Sequence, residues 1–185
     1  RVTKAFAPLI IESKGRISVI GSISGTLAGA TWGPYAMTKH AMEAYADALW
    51  DEMKQFGVSV SLIEPGAYRS SIGKSALDRM EKNDQSPADT RFEAQMSDSM
   101  NWLSHFEKGA GDPAEVAEVV MKSLFEDHPR RRYMIVPNQE QAYLTINRAI
   151  ERMVEQNGGH KFSYDRGELI EMLDAALAKQ IGKNP

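Results

Sequence analysis

A chain of 185 residues with 42% hydrophobic and 25% charged side chains has the size and composition of one globular domain with a packed core, which excludes a disordered chain. Its formal charge of −3 leaves no basic face large enough to neutralise a row of phosphates, so no nucleic-acid partner is expected. The absence of cysteine excludes disulfides and thiolate metal sites and fits a reducing, cytoplasmic setting, and no apolar stretch approaches the ~20 residues of a membrane span.

The chain opens on Arg1 rather than methionine, inside a helical pattern with Val2, Ala5, Phe6, Leu9 and Ile10 on one side, so an amino-terminal portion is expected to precede it. Ser13–Lys14–Gly15 reads as a turn, and Ile17 to Ile20 as a short buried strand. Glycines at 21, 25, 29 and 33 keep the following loop small and suited to close approach of a ligand. A helix is predicted from about Pro34 to Phe56, with Met42, Tyr45, Leu49 and Met53 as its core stripe and Gly57 as its stop. Val58 to Ile63 is a second strand, closed by Glu64–Pro65–Gly66. Because a helix connects the two strands, they should lie parallel, and ligands bind at the carboxyl ends of such strands.

From Ser71 to Gly111 the pattern is irregular and polar, with Phe92, Met96, Met100, Trp102, Leu103 and Phe106 at loosely helical intervals. Methionines and aromatics line adaptable apolar pockets; here they equally suit a plain covering of the core. Asp112–Pro113–Ala114–Glu115 starts a helix as an N-cap, a first-turn proline and a glutamate three past the cap, with Val116, Val119, Val120 and Leu124 on its buried face. The basic run Arg130–Arg131–Arg132 is expected to be a solvated turn, and Tyr133 to Val136 makes a third strand. A helix near 138 to 156 carries Tyr143, Ile146, Ile150 and Met153 and stops at Asn157–Gly158–Gly159. Asp165 with Glu168 caps the last helix, whose Leu169, Leu173, Ala176 and Leu177 form an apolar face before Gly182 and Pro185.

The chemistry concentrates between Arg16 and Lys39. Tyr35 and Lys39 stand four apart at a helix start, so their side chains share a face, and Ser22 sits at the strand end thirteen residues before Tyr35. A free phenol ionises near ~10, too high for a base at neutral pH, and a neighbouring ammonium favours the phenolate. A hydroxyl such as that of Ser22 can hold a substrate oxygen while charge develops on it. These groups suit hydride transfer at an alcohol or ketone, where a proton moves with the hydride. Ser24, eleven residues before Tyr35, ranks second to Ser22.

With Gly21–Ser22–Ile23–Ser24–Gly25, Tyr35–Ala36–Met37–Thr38–Lys39 and the Pro65–Gly66 turn, the chain resembles the catalytic half of a classical short-chain dehydrogenase/reductase. The resemblance implies an α/β fold, a three-layer doubly wound parallel sheet of Rossmann type, with the amino-terminal half missing from this chain. It implies that Ser22 positions the carbonyl, that Tyr35 is the acid/base, and that Lys39 tunes the tyrosine and bonds the nicotinamide ribose of NAD or NADP. Relatives hold the carboxamide with Pro-Gly-x-x-x-Thr; here Pro65 and Gly66 are followed by Ser70, which keeps the hydroxyl and loses the methyl. The glycine-rich phosphate turn, the residue that selects NAD or NADP and the helix asparagine of the catalytic tetrad are not in this sequence. Residues 1–185 are thus expected to be the carboxyl-terminal part of a single Rossmann domain, with a lid at about 71–111 and a helical extension at about 138–185. A steroid- or retinol-dehydrogenase-like branch is compatible, with a small-molecule alcohol or carbonyl substrate of hydrophobic character; the family also includes homo-oligomers.

Two other functions compete. A catalytically incompetent fragment or dead relative could act as a binding module, and retention of Ser22, Tyr35 and Lys39 argues against the dead relative. A sugar-nucleotide epimerase shares Tyr-x-x-x-Lys but has a larger carboxyl-terminal domain than the residues after Gly66 provide.

Overall fold

A computed structural model describes residues 1–88 and 90–181, without the side chains of 106, 107 and 181. Gly182, Pro185 and the Phe106 side chain, named above, lie outside the described residues. The chain forms two compact units, Arg1–Thr145 and the residues from Ile146 onward.

In the first unit the order is α1 (Val2–Glu12), β1 (Arg16–Ile20), α2 (Gly33–Met53), β2 (Ser59–Pro65), α3 (Ile72–Lys82), α4 (Glu93–His105), α5 (Pro113–Phe125) and β3 (Arg132–Ile135). Two further helices follow, α6 (Gln139–Asn157) and α7 (Arg166–Ile181). The strands form one parallel sheet in the order β1-β2-β3, with Ile20 opposite Ile63 and Leu62 opposite Arg132. Strand side chains alternate between faces. Val60 and Leu62 pack with Leu49 and Met53 of α2, joined by Ile10 and Ile11 of α1. The opposite face carries Ser18, whose hydroxyl accepts from Ser123 of α5 at 3.1 Å. Helices therefore cover both faces, the layered arrangement expected of a doubly wound sheet.

Local chemistry explains the boundaries. Pro34 enters α2 at its first turn, and the short 3-10 turn after α2 ends at Gly57 with φ of 71°, a conformation that favours glycine. Asp112 accepts from Ala114 N at 3.0 Å as the N-cap of α5, but Glu115 accepts from the Tyr68 hydroxyl rather than completing a capping box. Asp165 and Glu168 do form the reciprocal box at α7, at 2.8 and 2.9 Å.

Helix α1 turns Ile10 and Ile11 to the core and leaves Val2 and Phe6 73% and 55% exposed. Several expectations change. Tyr45, expected on the core stripe of α2, is 39% exposed with its hydroxyl bonded to Thr3, and Ile20, expected in a buried strand, is 48% exposed at the end of β1. The irregular stretch after Ser71 folds as two helices, α3 and α4. The arginine run is no solvated turn: Arg132 opens β3, and both Arg131 and Arg132 bond Asp47 of α2 at 2.7 Å.

Leu62, 1% exposed at the centre of the sheet, is the most informative core probe. Leu62→Ala should lower the stability of the full-length protein by about 2–5 kcal/mol in a denaturant titration.

Candidate active site

The site is built where β1 and β2 end side by side. Just past β1, Gly21 N donates to Ile63 O at 2.7 Å, prolonging the ladder by one bond, and Gly21 O accepts from Lys39 Nζ at 3.0 Å. Ser22 follows in extended conformation and caps the 3-10 turn Ile23–Gly25: its buried Oγ accepts from Ser24 N at 3.1 Å and donates to Pro65 O at 3.3 Å. A hydroxyl can donate once and accept twice, so rotation away from Pro65 O frees its hydrogen for a substrate oxygen.

Tyr35 and Lys39 lie on the first turns of α2. Lys39 Nζ stands 5.8 Å from the centre of the Tyr35 ring. Partial burial lowers the Lys39 ammonium below its ordinary value, because the charged form is desolvated. Lys39 thus links the Tyr35 ring to the Gly21 carbonyl, and the adjoining Ser22 links to Pro65. Gly66 N donates to Ile135 O at 2.8 Å, and a Cβ on Gly66 would stand 2.3 Å from Gln141 Oε1, so the end of the Gln141 side chain packs directly on this turn. Ser70 is exposed, and its Oγ accepts from Ile72 N at 3.4 Å at the start of α3.

An aromatic chain leads from the phenol to the helix above it. Trp32 meets Tyr35 edge-on with ring centres 5.9 Å apart, and Trp102 of α4 meets Trp32 at 4.8 Å. Thr31 and Ser99 join hydroxyls across the same contact. A cavity of about 590 Å³ is lined by Asp98, Asn101, Trp102 and His105 of α4, with Ala67 and Gln141 opposite. Sequence reasoning singled out Trp102 but missed Asp98, Asn101, His105 and Gln141. The signal was present for three of them: 98, 101, 102 and 105 follow the i, i+3, i+4, i+7 spacing of one helix face. Gln141, whose Oε1 accepts from Ala67 N at 2.8 Å, had no local signal because its role depends on a contact 74 residues away.

A charged cluster lies on the α2 side of the sheet. Arg132 bonds Glu43 at 3.2 Å and Asp47 at 2.7 Å, Arg131 shares Asp47, and Glu64, 8% exposed, sits in β2 beside Glu43. Burial first, and then the neighbouring Glu43 carboxyl, push Glu64 up to about 7. Among the described residues no group of three or more potential ligands is placed to hold a metal ion. No described helix is long and apolar enough to cross a membrane.

Residues 1–81 match the short chain dehydrogenase family model. The chain is 45% identical over 80 residues to 3beta-hydroxysteroid dehydrogenase dhs-16 of Caenorhabditis elegans, covering 43% of this chain and 21% of that protein. It is 48% identical over 68 residues to the mitochondrial D-beta-hydroxybutyrate dehydrogenase of Bos taurus, covering 37% of this chain and 20% of that one. The matched stretches thus span about a fifth of the length of these two relatives. In fold it is similar to a short chain dehydrogenase/reductase from Burkholderia phymatum solved in complex with NAD, with a TM-score of 0.63 at 19% identity, covering 88% of this chain and 57% of that one. Residues 1–81 thus carry the short chain dehydrogenase pattern, and the chain shares the fold of solved short chain dehydrogenases.

The raised Glu64 value has a consequence for stability. Against an ordinary value of 4.5, a folded value of about 7 means that the stabilising protonated state is fully present below about pH 4.5 and is lost as pH rises through about 7. Glu64→Gln should therefore remove the decline in stability between those values, a gain of about 3 kcal/mol at pH 8 from the size of the shift, read from urea midpoints at pH 5 and 8.

Proposed function

We propose that the full-length protein is an NAD(P)-dependent oxidoreductase that transfers a hydride between the nicotinamide and a secondary alcohol or carbonyl compound. What supports this is the position of Lys39, which bonds Gly21 O, next to Ser22 in the chain, at 3.0 Å and stands 5.8 Å from the centre of the Tyr35 ring. When the alcohol is oxidised, the Tyr35 oxygen takes the hydroxyl proton, and the Lys39 ammonium stabilises the phenolate that precedes it. Ser22 turns its hydrogen from Pro65 O to the reacting oxygen and holds it. In the reverse direction Tyr35 returns the proton to the carbonyl oxygen.

The donor set suits the nicotinamide end of the cofactor. The Lys39 ammonium would bond the ribose, the Pro65–Gly66 backbone and the Ser70 hydroxyl would meet the carboxamide, and the bound nicotinamide would supply or accept the hydride. We read α3, α4 and the following residues as a lid. Trp32 and Trp102 offer it an apolar face, and the polar residues on the same cavity favour a substrate that combines an apolar body with hydrogen-bonding groups. The cysteine-free composition supports a reducing, cytoplasmic location.

In the full-length enzyme, Tyr35→Phe should lower kcat by about 10²- to 10⁴-fold, the usual range for a lost acid/base, with the thermal midpoint unchanged. Undiminished turnover would remove Tyr35 from the mechanism. The 185-residue chain alone should bind NAD or NADP weakly, because the groups named here meet only the nicotinamide end and much of the affinity resides in the phosphates. Micromolar binding in titration calorimetry would contradict that.

A further inference from the structure

Two carboxyls meet beneath the loop that carries Ser22. Glu43 reaches up from α2 so closely that a Cβ on Gly25 would stand 2.4 Å from its Oε1, which places the carboxyl flat against the last residue of the Ile23–Gly25 turn. Its Oε2 accepts from Arg132 Nε at 3.2 Å. Its Oε1 is closed off from solvent and receives no hydrogen bond from any described residue. Such a buried, unmatched acceptor is costly unless a donor reaches it. The neighbour able to supply one is Glu64, buried beside it and directly followed by Pro65, whose carbonyl accepts from Ser22 Oγ. Ser22 is thus bracketed, with Glu43 under Gly25 on one side and Glu64 next to Pro65 on the other.

We propose that Glu43 and Glu64 share one proton, donated from the Glu64 carboxyl to Glu43 Oε1, and that this bond seats the Ser22–Gly25 loop, making Glu43 a positioning residue for the reaction. The role in the reaction rests on the function proposed above; the pair itself does not. The charges around it agree. Facing Glu64 are Glu43 and Asp47 from α2 and Arg132 from β3, with Arg131 bound to the same Asp47, while the Ile23–Gly25 turn and the end of β1 bring no charge. Three carboxyls thus meet two guanidiniums, and a single proton balances the set. The upward push on Glu64 to about 7, from burial and from Glu43, is in the same direction. When the proton leaves, two like charges face each other in a buried place and Glu43 Oε1 loses its donor, so the carboxyl withdraws from Gly25 and the loop loosens.

The test uses the full-length protein and two readouts across pH 5.5 to 8.5: the amide resonance of Ser24, whose N–H is bonded to Ser22 Oγ, and kcat with an alcohol the enzyme oxidises. The wild type should show a Ser24 shift with a midpoint near 7 and, relative to Glu64→Gln, a loss in kcat of about tenfold above it. Glu64→Gln, whose amide donates without titrating, should abolish both, and Glu43→Gln, which removes the neighbouring charge but not the burial, should move the midpoint below the wild-type one. A Ser24 resonance that stays still in the folded wild type, or that moves alike in Glu64→Gln, overturns the pair. Should Glu43→Gln not fold, Glu64→Gln decides alone. If no alcohol is oxidised while Ser24 titrates and Glu64→Gln silences it, the pair stands and its catalytic role falls with the functional reading. If turnover depends on Tyr35 but not on this midpoint, the positioning role falls and the reaction stands.

Discussion

The site depends on the junction at Gly21. Its N–H completes the β1–β2 ladder at Ile63 and its carbonyl receives the Lys39 ammonium, so one peptide unit ties the sheet to the helix that carries the phenol. A side chain there would crowd Leu62, since a Cβ would lie 3.0 Å from Leu62 Cδ1. Sheet, loop and helix therefore meet through backbone, and the Ser22 hydroxyl inherits its place from that meeting. Hydrogen bonds of this kind are individually modest, but burial makes losing one expensive, which keeps the arrangement rigid.

Around this junction the protein places two layers of different chemistry. Above it, Trp102, Trp32 and Tyr35 form an edge-to-face series that brings α4 to the phenol. Aromatic pairs of this kind contribute about 0.5–1.5 kcal/mol beyond their buried area, enough to bias the position of a surface helix without locking it. Below it, the arginines at the head of β3 hold the acids of α2 and set the charge under the Ser22 loop. Helix α4 thus meets the site through a weak, geometric contact, whereas the foundation is electrostatic and sensitive to a proton.

Much of the site was legible in the chain. Ser22 before Tyr35, Tyr35 four before Lys39 and the Pro65–Gly66 turn are local spacings, and an apolar run joined to another through a long amphipathic helix predicts parallel strands whose ends adjoin. The Asp112 and Asp165 caps and the Gly57 stop were equally readable, because each depends on residues within a turn. The exposed side of α1 was not, since amphipathic spacing names a face without saying how much of it is covered.

What local pattern could not supply was partnership across the chain. The arginine run looked solvated because its acids, Glu43 and Asp47, lie more than eighty residues earlier, and Glu64 looked like an ordinary turn residue until Glu43 was found beside it. Gln141 became a lining residue only through Ala67. Periodicity, capping and turn chemistry are properties of neighbours in sequence, so the chain alone specifies the strands, the helices and the serine, tyrosine and lysine they carry. The pairing of charges and the desolvation that shifts them depend on long-range packing, and only the folded molecule decides them.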